Sequence, residues 1–248
     1  MTRPARACID LSALGHNFTR ARQAAPDSRV MAIIKANAYG HGLLPVARTL
    51  ADADAFGVAM LEEAIALREA GFDRRIVLLE GAFDAGEAVL INGYRVDVVV
   101  HHTRQLDMLE QDRFTRPVDV WLKLDTGMHR LGFSEDQTDE LTARLNNNPR
   151  IYVQSAFSHL AASDNPASDE YTRMQIDRFK NMCRRLCEHI LHHVIRHMVN
   201  SAGITRFPDA HFDMVRLGIG MYGIASNPSD QENLSTVGTM RSTVSQIK

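Results

Sequence analysis

Between residues 30 and 218, short aliphatic runs alternate with longer amphipathic stretches, and this alternation restricts the possible fold more than any other feature. The strand candidates are Val30–Lys35, Ala55–Met60, Ile76–Glu80, Val96–Val100, Val118–Asp125, Tyr152–His159, His197–Ser201 and Met214–Gly218. Helical patterns separate them at Leu44–Ala51, Leu61–Ala70, Ala85–Asn92, Arg104–Gln111, Ser134–Leu145, Glu170–His193 and, briefly, Ile204–Phe207. One more helix, Ser12–Ala24, precedes the first strand, with Ser12 placed to cap it. Strands spaced in this way form βαβ units and a parallel sheet. Eight of them suggest an α/β chain closed as a (β/α)8 TIM-like barrel, the early helix filling the place of the absent last one. A doubly wound open sheet stays open on pattern alone. With 248 residues and 45% hydrophobic content, the chain can fill one such domain.

The fifth strand shows what a barrel would do with a mixed sequence. Val118, Val120, Leu122 and Leu124 alternate with Asp119, Trp121, Lys123 and Asp125, so the two sets point to opposite faces. In a barrel, the aliphatic set can pack on helices while the polar set enters a functional lumen. The loop Thr126-Gly-Met-His-Arg-Leu-Gly132 follows, bringing Arg130 near Lys123 at the end of the strand where barrel enzymes keep their chemistry. The plainer alternative is a snorkelling lysine and an arginine paired with Asp125.

Several classes fall away on composition. The 28 basic and 30 acidic residues leave a net charge of -2, which makes no electrostatic case for nucleic acid or a membrane surface. Three cysteines make no disulfide framework. The N-terminus lacks the apolar core of a secretory signal, and no run reaches the ~20 apolar residues of a membrane span, so a cytoplasmic protein is expected. The cluster Cys183, Cys187, His189, His192 and His193 invites a metal reading, but at about 100° per residue these side chains diverge around one helix. No metal is assigned. Gly218, Gly220 and Gly223 spell G-x-G-x-x-G, yet no helix or acidic ribose ligand follows, so the match is not a dinucleotide fingerprint.

The stretch Met31-Ala-Ile-Ile-Lys-Ala-Asn-Ala-Tyr-Gly-His-Gly42 carries the chemistry. A buried apolar strand ends on Lys35, and two glycines mark a tight turn. Desolvation at a strand mouth lowers an amine's pKa and frees it to attack a carbonyl carbon. A surface lysine at a strand end is the alternative reading of the residues alone. KANAYGHG, however, closely resembles the cofactor-lysine signature of the alanine racemases, whose lysine carries pyridoxal 5′-phosphate (PLP). Barrel decarboxylases share only KAN, so AYGHG discriminates. The block WLKLDTGMHRLGF, Trp121 to Phe133, resembles the same family almost letter for letter.

The resemblance implies a PLP-dependent interconversion of L- and D-alanine, supplying D-alanine for peptidoglycan, by a homodimer. It implies that Lys35 holds the cofactor and removes the α-proton of the D-enantiomer. Ser201, Gly218 and Ile219, helped by Tyr39, would take the phosphate, with Asn200 in the same pocket. His159 would pack on the pyridine ring, and Arg216 would face its nitrogen. Arg130 would approach the phenolic oxygen and the substrate, held by Lys123 if that lysine is carbamylated. An arginine beside the ring nitrogen donates a hydrogen bond without giving up its proton, which limits carbanion delocalisation and suits proton return to the same carbon. Residues 1–225 are read as the PLP-binding barrel, 226–236 as a linker, and 237–248 as the start of an incomplete β domain. The family continues there into a β-rich second domain, whose tyrosine, from the partner subunit, would serve the L-enantiomer. Alone, 237–248 would be an unpaired strand. A non-catalytic single-barrel PLP carrier, a purely structural barrel, and a serine or broad-specificity racemase are the competing readings.

Overall fold

The computed structural model describes residues 4–110, 114–146, 148–188, 190, 192–225, 231 and 233–243. Runs such as Ala55-Phe-Gly-Val58 and Asp97-Val-Val-Val100 are buried throughout, as parallel strands covered on both faces must be. The strands of the main sheet are β2 (Arg29–Ile33), β3 (Ala55–Val58), β4 (Arg75–Leu78), β5 (Asp97–Val100), β6 (Val118–Lys123), β7 (Ile151–Phe157), β8 (Ile195–His197) and β9 (Met214–Leu217). They run in the order β8-β7-β6-β5-β4-β3-β2-β9, each ladder parallel. The seam between β8 and β9 is bridged by Asp213 N–H to Arg196 O at 3.0 Å and Arg216 N–H to Val199 O at 3.2 Å. Arg196 Nε adds a bond to Asp213 Oδ2 at 2.9 Å. The sheet is thereby brought round into a (β/α)8 barrel.

Helices α1 (Leu11–Ala24), α2 (Leu43–Thr49), α3 (Leu61–Glu69), α4 (Ala85–Gly93), α5 (Thr103–Leu109), α6 (Thr138–Asn146), α7 (Asp169–Cys187) and α8 (Ser201–Arg206) surround it. Strand alternation then divides the core in two. Val30, Ala32, Phe56, Val58, Ile76, Leu78, Val98, Val120 and Leu122 pack outward on the helices. Met31, Ile33, Ala55, Val77, Val99, Trp121, Phe157, Ile195 and Met214 fill the lumen. The lumen is therefore an apolar plug with polar ends. In β7 the register slips by one residue against β6 between Val120 and Trp121, where Gln154 is the extra residue. Val153 and Ala156 both face the outer core, and Phe157 turns inward beneath the pocket described below.

Four local expectations change, the first being that the seventh strand spans Ile195–His197 rather than His197–Ser201, with Ser201 opening α8. Asp10, not Ser12, caps α1: its Oδ1 accepts from Ser12 N–H at 2.9 Å and Ala13 N–H at 3.0 Å. Helix α7 ends at Cys187 rather than His193. Beyond it, His192 Nε2 donates to Val153 O at 2.8 Å and the ring stacks on Tyr152, while His189 lies outside the described residues. The tail is not unpaired either. Strand β10 (Gly238–Arg241) runs antiparallel to β1 (Arg6–Ile9), a strand the sequence reading did not contain. In the expected linker 226–236, residues 226–230 and 232 lie outside the description. The buried Asn17 fastens its end, exchanging hydrogen bonds of 2.8 Å with both backbone groups of Ser235.

Candidate active site

The backbone leaves β2 in an unusual way. Ala36, Asn37, Ala38 and Tyr39 have φ of 54, 54, 54 and 51°, and Gly40 follows at 83°. Only the last is a glycine. Left-handed backbone costs an L-residue roughly 1–2 kcal/mol, so this run is stable only because its surroundings hold it. Asn37 is the hub. Its carbonyl accepts from Gly40 N–H at 3.1 Å and Gly42 N–H at 3.0 Å, and its Oδ1 accepts from Leu43 N–H at 2.8 Å. Glu63 Oε1 accepts from Asn37 N–H at 2.7 Å. On the other side, the Tyr39 and His41 rings pack on Tyr222, with centroids 4.8 and 4.6 Å apart, and Tyr222 O–H donates to Ile33 O at 3.2 Å. The turn presents Lys35 and Tyr39 to the same cavity.

That cavity, about 340 Å³, lies at the C-terminal end of the strands. Its walls include Lys35, Tyr39, Lys123, Arg130, His159, Asn200, Ser201, Arg216, Gly218 and Ile219, so the fold brings together every residue singled out in the sequence. Ile33, Leu79 and Phe157 supply apolar surface, and Glu80 is the one carboxylate among four cations. None of these was singled out in the sequence, since their roles depend on the parity of their strands. The crowding of like charge shows in the lysine on β6. Burial, then the charges of Arg130 and Arg216, hold Lys123 down at about 8, only partly offset by Glu80. An amine at that value has a substantial neutral fraction near neutral pH, as any reaction with a carbonyl compound or with carbon dioxide requires.

Arg216 is almost wholly buried on β9. The two hydrogens of its Nη2 are shared among Ser158 O at 2.8 Å, Met198 O at 3.0 Å and His159 Nδ1 at 3.1 Å, and its Nη1 donates to His197 Nδ1 at 2.6 Å. Guanidinium has no acceptor. Both imidazoles must therefore accept at Nδ1 and carry their proton on Nε2. Burial first, and then the Arg216 charge, holds both histidines well below their ordinary pKa, so both rings are neutral. Burial and Arg130 lower Arg216 itself to about 9, which leaves it a cation at neutral pH. His197 was not identified from sequence. It stacks flat on Phe157 at 4.8 Å, and its Nε2 is buried without a partner among the described residues.

Across the pocket, Ser201 Oγ accepts from Gly218 N–H at 3.0 Å and Gly220 N–H at 3.1 Å. Both lone pairs are then engaged and its hydroxyl hydrogen is left to donate. A Cβ on Gly218 would stand 3.4 Å from Tyr39 Oη and 3.8 Å from Ser201 Oγ, inside the recess those two hydroxyls face. Asn200 lines the same wall and caps α8, its Oδ1 accepting from Gly203 N–H at 3.0 Å. Arg130 stands at the exposed lip, on a loop held by Asp125, whose Oδ1 accepts from Gly127 and His129 N–H at 2.9 and 3.0 Å. Asp125 pairs with His129 at 3.1 Å, not with Arg130.

Fold and pocket together define a barrel of the enzyme type: a lysine at a strand mouth, a hydroxyl-and-glycine recess opposite, and four cations with one carboxylate around the cavity. Residues 9–226 match the family described as alanine racemase, N-terminal domain, and the chain belongs to that family. It is 44% identical over 226 residues to the alanine racemase of Shewanella baltica (strain OS185), covering 91% of this chain and 61% of the relative. With that of Nitrosospira multiformis it shares 41% over 251 residues, covering 100% of this chain and 69% of the relative. The crystal structure of the biosynthetic alanine racemase from Pseudomonas aeruginosa superimposes with a TM-score of 0.87 at 36% identity, over 96% of this chain and 66% of that one. The Corynebacterium glutamicum alanine racemase gives 0.89 at 30%, over 98% and 70%. The chain thus spans about 61% of the length of the first of these relatives. Among the described residues, no helix is long and apolar enough to cross a membrane.

Proposed function

We propose that this chain binds PLP and interconverts L- and D-alanine as the barrel part of an alanine racemase. The observation that carries the reading is the convergence of Lys35, the Ser201–Gly218 recess and the buried Arg216 on one cavity. The residues fit the cofactor on their own chemistry. Four cations facing one carboxylate suit a phosphorylated ligand, and the missing Cβ of Gly218 leaves room beside two hydroxyls. Ser201, Gly218, Ile219 and Tyr39 would hold the phosphate, with Asn200 ordering that wall. His159 would lie against the ring, and Arg216 would face the ring nitrogen.

When bound, PLP supplies an electron sink that acidifies the α-carbon of an attached amino acid. Lys35 Nζ would hold the cofactor and would be the base that takes and returns the α-proton of the D-enantiomer. Arg216, fixed by two carbonyls and two imidazoles and keeping its own proton, would leave the ring nitrogen unprotonated, which would favour proton return over side reactions. Arg130 at the lip orients the substrate carboxylate. Lys123, carbamylated, would turn from a repelling cation into an anion that holds Arg130. The acid that serves the L-enantiomer belongs, on this reading, to a partner subunit in a homodimer. The protein would act in the cytoplasm and supply D-alanine for peptidoglycan. Borohydride reduction of the PLP-loaded chain, followed by peptide mapping, should place the label on Lys35. Label on another lysine, with Lys35 free, would overturn the assignment.

A further inference from the structure

Glu63 sits in the first turn of α3 and divides its two carboxylate oxygens between two elements. Oε2 accepts from Ala59 and Met60 N–H, at 3.1 and 3.3 Å, closing the start of its own helix. A helix cap needs nothing more. Oε1 leaves α3 altogether and accepts from Asn37 N–H at 2.7 Å, 26 residues earlier in the chain. Asn37 is the hub of the left-handed run that starts one residue after Lys35. Its carbonyl and its Oδ1 close that run from within, so Glu63 is the outside group that fixes it from this side. Tyr222 clamps the opposite side through its bond to Ile33 O and its contact with Tyr39.

We propose that Glu63 is a positioning residue for Lys35: it holds the left-handed turn so that Nζ and Tyr39 Oη stay aimed into one pocket. Glu63 does not line that pocket and touches no reacting atom. It acts through the backbone of Asn37, and Ala36 and Asn37 are both exposed, so this half of the turn is held by hydrogen bonds rather than by packing of its side chains. The inference rests on Lys35 being the PLP-binding lysine.

The test uses the full chain with PLP, comparing wild type, Glu63→Ala, Glu63→Gln and the control Glu62→Ala. Glu62 is exposed in the same helical turn, so its removal takes away the same charge without touching Asn37. Folding is monitored by circular dichroism, PLP affinity by titration of the visible absorbance, and the lysine's environment by the pH midpoint of that band. For Glu63→Ala we expect affinity about tenfold weaker, the size of one charge-assisted hydrogen bond, with a displaced pH midpoint. Glu63→Gln, which keeps a carbonyl oxygen to accept from Asn37, should recover part of both, and Glu62→Ala should match wild type. A folded Glu63→Ala with wild-type affinity and midpoint refutes the positioning role. So does a loss shared equally by Glu62→Ala. If Glu63→Ala does not fold, Glu63→Met, a helix-forming side chain of similar length that cannot accept from Asn37 through an oxygen, decides by the same two readouts, wild-type values refuting the role. Failure of the wild type to load PLP on Lys35 refutes instead the functional reading beneath it.

Discussion

Replacing Ala36 by glycine should stabilise this protein, the reverse of what the same change does in a helix. Ala36 sits at φ 54°, ψ 52°, and its side chain is exposed, so removing the methyl group takes away strain without opening a cavity. Relief of left-handed strain is worth roughly 1–2 kcal/mol. Against it stands the extra entropy that glycine confers on the unfolded chain, about 0.4–1 kcal/mol. The balance is a gain of about 0.5–1 kcal/mol, or ~1–4 °C in Tm for a chain of this size. The control is Ala66→Gly in the right-handed α3, which should lose about 1 kcal/mol. Paired thermal and urea unfolding of the two variants reads the signs directly. PLP affinity should move the other way in Ala36→Gly, because a freer turn presents Lys35 less firmly. If Ala36→Gly is destabilised as much as Ala66→Gly, the turn is not strained in solution, and the account of how Lys35 is presented fails.

Two further outcomes are expected. Gly132 lies at φ 127°, and a Cβ there would come within 2.8 Å of Asp125 N and 2.9 Å of Leu124 C, both backbone; Gly132→Ala should cost about 2 kcal/mol or more in urea unfolding and disturb the Arg130 loop, and a neutral result would mean the loop closes differently. Burial holds the proton on Asp97 to about pH 6 in the fold, against 3.8 in a free chain, so wild-type stability should fall as pH rises through that window. Asp97→Asn should flatten that slope in denaturant melts from pH 4 to 7, and an unchanged slope would assign the titration elsewhere.

The parallel α/β architecture was legible because most strands are short apolar runs bounded by turn residues, a pattern that needs no knowledge of partners, whereas closure into a barrel was not set by pattern alone. The pocket was legible for a different reason: KANAYGHG and WLKLDTGMHRLGF resemble the alanine racemases, and that resemblance, rather than the residue types alone, implied Lys35, Lys123, Arg130 and Arg216 as site residues. What stayed hidden depends on relations across the chain. Strand β1 is four residues long, mostly exposed, and gains its meaning only from Gly238–Arg241. The slip in β7 shifts the parity of every residue after Gln154, and period-two counting from Tyr152 cannot detect it. The glycines of AYGHG announced a turn, but the strained residues are Ala36 to Tyr39, whose types give no sign of left-handed backbone. Nor does a glutamate at the third position of a helix disclose that one of its oxygens reaches another element.

The two ends of the barrel are built on opposite principles. At the N-terminal end, Arg68 donates to four carbonyls, those of Phe72, Arg74, Tyr94 and Arg95, at 2.6 to 3.0 Å. Asp97 there meets both Arg75 and Trp121 Nε1, so a buried carboxylate and its neighbours satisfy one another. At the C-terminal end, four cations face one carboxylate, a run of left-handed backbone follows Lys35, and His197 Nε2 has no partner among the described residues. A fold that pairs Arg68 and Asp97 in this way at one end is not prevented from doing the same at the other by its architecture. The imbalance is local, it surrounds the cavity, and its sign is positive. A zwitterionic amino acid alone brings no net charge to offset it. A molecule with a phosphate and a flat, polar ring does, which is why the unrest at this end of the barrel argues for the cofactor before the substrate.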